Sequence, residues 1–152
     1  MLRLLTQAEL ENAARQNGFE QAVVADYARQ ALAADPNYGP WAARLLLLKP
    51  ALQTIGHIRF HSRPVEGAVE FGYTVFTPSQ RQGFATEAAQ AVMRWATERH
   101  GVRRFIASVR PDNLPSQRIV AKLGFRKVGQ QIDEVDGVED VFHLDSAAST
   151  SF

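Results

Sequence analysis

The sequence predicts an α/β fold: a mixed, largely antiparallel sheet with helices on both faces. Three observations carry this. In the first half, short apolar runs with period-two alternation recur between turn signals. Between Gly83 and Gly101 lies one amphipathic helix, with Ala85, Ala88, Ala89, Val92 and Ala96 along one face and a predicted strand on either side of it. Near the end, Asp136-Gly137 marks a hairpin between two more strands. Strand, helix and strand in succession imply a parallel crossover, whereas strands joined by short turns lie antiparallel.

The 152 residues, 45% of them apolar, are the size of one ordinary domain with a sizeable core. We expect a single domain over 1–145 and a mobile, small-residue tail over 146–152. A net charge of +1 gives no general basic field, which argues against nucleic acid as a main partner. There is no cysteine, which excludes disulfides, thiolate metal sites and cysteine nucleophiles. No run approaches the roughly 18 apolar residues of a membrane span, so the expectation is a cytoplasmic protein that does not engage membranes. The sequence carries no sign of an oligomeric state.

Residues 2–5 suit a first strand, and Thr6-Gln7-Ala8-Glu9 has the form of a capping box opening a helix to about Gln16. A second helix is predicted from Phe19, with Val23, Tyr27 and Ala31 on one side, until 35–40 breaks the chain. Strands are expected over 42–48, 54–61 and 69–76, as an antiparallel meander. His57 and His61 lie about 13 Å apart on such a strand, too far to share a metal ion, and we expect no metal site. Their expected roles are surface or satisfied core. After the long helix come a strand over 103–109, a short helix opened by Pro115 and closed by Gly124, and strands over 126–134 and 138–145.

The candidate site is the turn into the long helix. The first N–H groups of a helix have no intrahelical acceptor, and the aligned peptide dipoles leave partial positive charge there. Gly83 can take positive φ and curl the backbone into an anion-binding nest, Ala85 permits close approach, and Arg81 adds a full charge. An ordinary strand-to-helix turn has the same look, so the spacing of a second block matters. ATP fits poorly, because the lysine and hydroxyl of a phosphate-binding G-x-x-x-x-G-K-[ST] loop are missing.

Gln80-x-x-Gly83-x-Ala85 resembles the acyl-CoA signature of the GNAT superfamily of N-acyltransferases. Asn113-x-x-Ser116-x-Arg118, leading into Lys122-Leu123-Gly124-Phe125, is similar to the next block of the ribosomal-protein N-terminal (RimJ/RimL-like) acetyltransferase branch, as are Glu70-Phe71-Gly72-Tyr73 and Ala85-Thr86-Glu87-Ala88. The resemblance covers 69–125. It implies acetyl-CoA as co-substrate, held by Gln80, Arg81, Gln82, Gly83, Phe84, Ala85 and Thr86. Its pantetheine arm would lie beside the backbone of Val75 and Phe76, where the two parallel strands splay, and Asn113 would bind the arm or a water. The first two helices would flank the cleft for an amine acceptor, either a protein N-terminus or a small molecule.

Acyl transfer to an amine needs a base and a proton for the departing thiolate. An α-amine of pKa ~8 costs about 1.4 kcal/mol to neutralise at pH 7, so a modest base suffices. Glu70, on the cradle strand, is the candidate, directly or through water, with pairing to an arginine such as Arg59 as the alternative; Glu87 is its rival, though a carboxylate in a first helical turn also compensates the dipole. Many GNAT enzymes are thought to use a tyrosine four residues before the Gly-Phe pair as the acid. Here that position is Val120, and the resemblance transfers the role to Ser116, with first-turn hydrogen bonding or a water donor as alternatives. A non-catalytic acyl-CoA-binding or protein-interaction domain of the same fold is the second reading.

Overall fold

The computed structural model describes residues 2–3, 30, 33–41, 44–48, 53–75 and 79–146. Both helices expected before residue 33 fall almost wholly outside these, as does Phe76; Gln30, Ala33 and Ala34 are helical. The described strands are β1 (Leu2–Arg3), β2 (Arg44–Leu48), β3 (Gln53–Phe60), β4 (Ala68–Val75), β5 (Arg104–Val109), β6 (Arg126–Asp133) and β7 (Gly137–Asp145). The helices are α1 (Phe84–His100) and α2 (Leu114–Lys122), with a 3-10 segment at Pro36–Trp41. Among the described strand pairings only β4 with β5 is parallel, so the fold is the mixed, largely antiparallel α/β arrangement expected.

The chain forms two compact units, 1–63 with 73–88, and 64–72 with 89–152. In the first, β1, β2 and β3 pair in sequence, with a bulge between Leu46 and Leu47. Beside β3 runs the end of β4, and the two backbones come close at Gly56: a Cβ there would lie 2.0 Å from the Thr74 carbonyl oxygen. Only glycine fits such an approach. Ile55, Ile58 and Phe60 are buried on β3. The 35–40 stretch, expected as a plain break, winds into the 3-10 segment. Asp35 accepts from the Asn37 N–H at 3.1 Å, Tyr38 donates its hydroxyl proton to the Phe60 carbonyl, and Trp41 meets the Phe60 ring edge-on at 5.1 Å.

In the second unit the strand order is β4, β5, β7, β6. Glu66 and Gly67, both at positive φ, form a tight turn closed by two hydrogen bonds between Val65 and Ala68, and β4 starts there. Its parallel ladder with β5 runs from Ala68↔Arg104 to Glu70↔Ile106. Phe71 packs against Phe105 and Phe125, while Phe105, Ala107 and Val109 form the buried face of β5, as their alternation predicted. Helix α1 buries Ala89, Val92 and Ala96 and ends at Gly101 with φ of 65°. Helix α2 ends in a Schellman motif: Phe125 N–H reaches the Val120 carbonyl at 3.0 Å and Gly124 N–H the Ala121 carbonyl at 3.1 Å. The β6–β7 hairpin is longer than a two-residue Asp-Gly turn. Asp133 pairs with Gly137, and its carboxylate accepts from the Val135 and Asp136 N–H groups. Ser146, placed in the tail from sequence, is buried and donates its N–H to the Arg103 carbonyl at 2.7 Å; 147–152 lie outside the described residues. No helix among the described residues is long and apolar enough to cross a membrane.

Candidate functional site

In the first unit, the turn into α1 is built from backbone. Gly83 sits at φ 83° and Arg81 at φ 65°, so left-handed residues alternate with Gln82 between them, the arrangement that curls successive N–H groups into a nest. Gly83 is the helix cap: its carbonyl accepts from Glu87 N–H at 3.0 Å. The N–H groups of Phe84, Ala85 and Thr86 that follow are those that an α-helix leaves without an internal acceptor. No described atom lies within 4 Å of where a Cβ on Gly83 would be, so the face over the nest is open. Arg81, Gln82 and Glu87 are exposed, and Ala85 is buried. A diphosphate fits this donor set, which offers several N–H groups, the positive end of a helix of 17 residues and a guanidinium.

Gln80 ties this turn back to β4. Its Nε2 donates to the Val75 carbonyl at 2.8 Å and ties the end of β4 to the residue that enters the nest. Val75 and Gln80 are thus brought together. The left-handed Arg81 was not legible in the sequence, since nothing in an arginine side chain favours that conformation.

Glu70 lies in the second unit, half-buried on β4, and accepts from the Ser108 hydroxyl at 2.5 Å. Ser108 in turn accepts from Gln131 Nε2 at 3.1 Å, and the same amide donates to Glu139 at 3.2 Å. None of these three partners was singled out from sequence. The available signal was Ser108 alternating with Phe105, Ala107 and Val109 onto the opposite face of β5.

Asn113 and Ser116 are also together. Asn113 caps α2, accepting from Ser116 N–H at 3.3 Å, and Pro115 stands in the first turn as expected. The Asn113 oxygen is therefore committed to the helix. Its amide nitrogen and the half-buried Ser116 hydroxyl make no hydrogen bond among the described residues. Helix α2 is anchored by Gln117, which donates to Asp140 at 3.0 Å; Gln130 and Lys127 bind the same carboxylate. Gln130 first, then Lys127, hold the Asp140 carboxyl below its usual range. Val120, four residues before the Gly124-Phe125 pair, is wholly buried and belongs to the core.

His57 departs from the roles expected of it. It is mostly buried on β3, and its Nδ1 has no hydrogen bond among the described residues. Burial first, and the Arg59 charge second, lower its pKa to about 4, so it is neutral at pH 7. No group of three or more metal-binding side chains gathers among the described residues.

Comparisons with known proteins bear on the family and the fold. The acetyltransferase (GNAT) domain family matches residues 2–126. An uncharacterized N-acetyltransferase of Bacillus subtilis, YnaD, is 41% identical over 76 residues, 49% of this chain and 44% of that protein. The chain thus matches a little under half the length of this relative. Among solved structures, the ribosomal-protein-S5-alanine acetyltransferase of Vibrio fischeri superposes with a TM-score of 0.73 at 16% identity, covering 96% of this chain and 92% of its own. Mycobacterium smegmatis RimJ, solved with a CoA-disulfide, gives 0.69 at 17% identity, over 99% and 83% of the two chains. These likenesses establish the fold, and the family match over most of the sequence establishes the lineage: the chain belongs to the GNAT acetyltransferase family.

Proposed function

We propose that the protein is an acetyl-CoA-dependent N-acetyltransferase, residues 1–145 acting as one domain, that moves an acetyl group to a primary amine by direct attack in a ternary complex in the cytoplasm. The observation that carries this reading is the nest of Arg81 and Gly83 at the start of α1. Acetyl-CoA supplies the activated acetyl group as a thioester. The N–H groups from Gln82 to Thr86, with Arg81, hold its diphosphate, and Gln80 sets their position through Val75. The backbone of Val75 and Phe76 aligns the arm; an N–H aimed at the carbonyl oxygen there is worth roughly 3 kcal/mol. The Asn113 amide nitrogen is a further donor.

Glu70 accepts the proton of the attacking amine, directly or through water, and the Ser116 hydroxyl donates one to the departing sulfur. The acceptor is a protein N-terminus or a small-molecule amine. Thiol release from acetyl-CoA in the presence of an amine panel tests the proposal, with a thermal shift by acetyl-CoA but not ATP as its binding arm. Turnover with at least one amine is the expected result. The buried Val120 favours a second reading, an acyl-CoA-binding domain without turnover, and acetyl-CoA binding with no thiol release for any amine would establish it.

A further inference from the structure

Behind Glu70 stands a chain of hydrogen bonds whose direction is set at its Gln131 end. An amide nitrogen only donates, so Gln131 gives one proton to Ser108 at 3.1 Å and its other to the Glu139 carboxylate at 3.2 Å. Ser108 has one proton, and its contact with Glu70 at 2.5 Å is where that proton goes. Glu139 fixes the sense of the relay: as a carboxylate it accepts, so the nitrogen end of the Gln131 amide must face it. The register explains how these side chains meet. Gln131 pairs with Glu139 across β6 and β7, Ser108 pairs with Val141 on β7, and Glu70 pairs with Ile106 on β5, all on one face by alternation.

We propose that Ser108 and Gln131 are positioning residues for Glu70: the relay holds its carboxylate ionised and aimed, and so makes the exposed strand β6 part of the acid–base machinery. This rests on Glu70 being the base. A hydrogen bond donated to a carboxylate favours the charged form, and a serine whose own oxygen is already receiving a proton donates more strongly. Among the described residues of β5, β6 and β7, the other charged groups that alternation puts on this face are Glu139, His143 and Asp145 of β7, Arg104 of β5, and Arg126 and Asp133 of β6. Arg104 and Asp145 are paired at 2.7 Å, burial foremost lowers the His143 pKa, and Glu139 is the neighbour that a hydrogen bond joins to the relay.

The test is a carbon-13 NMR titration of the Glu70 carboxyl in the free protein, assigned with Glu70→Gln, in wild type, Ser108→Ala, Ser108→Thr and Gln131→Ala. The Glu70 midpoint should rise by about one pH unit in Ser108→Ala, rise less in Gln131→Ala, and return in Ser108→Thr. In turnover, the acid limb of kcat/KM should move by the same amount while KM for acetyl-CoA holds. An unmoved midpoint in Ser108→Ala overturns the relay, whatever the activity. Should Ser108→Ala not fold, the exposed Gln131→Ala decides by the same midpoint. Wild-type protein without thiol release for any amine would instead remove the catalytic reading and leave the titration to judge the hydrogen bonds alone.

Discussion

The proposed cradle and the proposed acid–base network are built from different materials. At the cradle, Arg81 and Gly83 present main-chain N–H groups, and side chains matter mainly by staying small or by adding charge. Around Glu70, the working atoms are side-chain hydroxyl, amide and carboxylate groups drawn from four strands. A backbone site is encoded locally, by a glycine at a left-handed position before an amphipathic helix. A side-chain network is encoded by register, and register is a property of the assembled sheet.

This predicts that the two regions fail differently. Glu70→Gln should lower turnover at pH 7 by about 10²–10⁴, the usual cost of losing a general base, while acetyl-CoA affinity holds. Much of the loss should return at high pH, where the amine is already neutral. Steady-state rates from pH 6 to 10 check this, and a profile parallel to wild type would remove Glu70 from the chemistry.

The next effect is on stability and lies in the unit that carries the cradle. His57 has a folded pKa of about 4 against 6.5 when unfolded, because burial and then Arg59 disfavour its charge. The unfolded chain therefore binds more protons as pH falls from 6.5 toward 4, and stability drops over that window and is retained above it. Between pH 7 and 4.5 the contribution is about 2–3 kcal/mol, read from urea unfolding as the difference between wild type and His57→Gln. An equal pH dependence in both proteins would show that His57 protonates freely in the fold. The experiment also separates acid effects on folding from acid effects on Glu70.

A smaller kinetic effect is expected at Ser116. Its N–H is held by Asn113, while its hydroxyl makes no hydrogen bond among the described residues. Ser116→Ala should slow single-turnover transfer roughly ten- to a hundred-fold, about 1.4–2.7 kcal/mol, with acetyl-CoA binding retained. Ser116→Cys, which keeps a proton, should recover part of the rate. Matching rates for Ser116→Ala and wild type would make water the donor.

The contrast also explains what was legible in the sequence. Alternation over β3, β5 and β7, the face of α1, and Gly101 and Gly124 as helix ends could all be read, because each is a local pattern with a local physical cause. The left-handed Gly83 before α1 and the Asn113–Pro115 helix start could be read for the same reason. The hydrogen bonds around Glu70 could not: a register shift between Lys127 and Gly129 sets which face of β6 Gln131 occupies, and Gly129 marks the place of a bulge without fixing the register beyond it. The 3-10 turn at Pro36–Trp41 has no apolar period long enough to show, and the left-handed Arg81 is dictated by the turn around it. The sequence leaves His57 as a surface or satisfied core residue because a strand histidine usually finds water or a partner, and only the packing of β3 shows that its buried Nδ1 has no hydrogen bond among the described residues.

Binding and chemistry can be separated most directly by calorimetric titration of acetyl-CoA into wild type, Gly83→Val and Glu70→Gln, each first shown to be folded. Valine at φ 83° is strained, and its branches would fill the open face over the nest. The account predicts that Gly83→Val loses acetyl-CoA binding while Glu70→Gln binds as wild type does and fails only in turnover. Unchanged affinity in a folded Gly83→Val protein would contradict it, because the diphosphate would then have to be held somewhere other than the backbone at the start of α1.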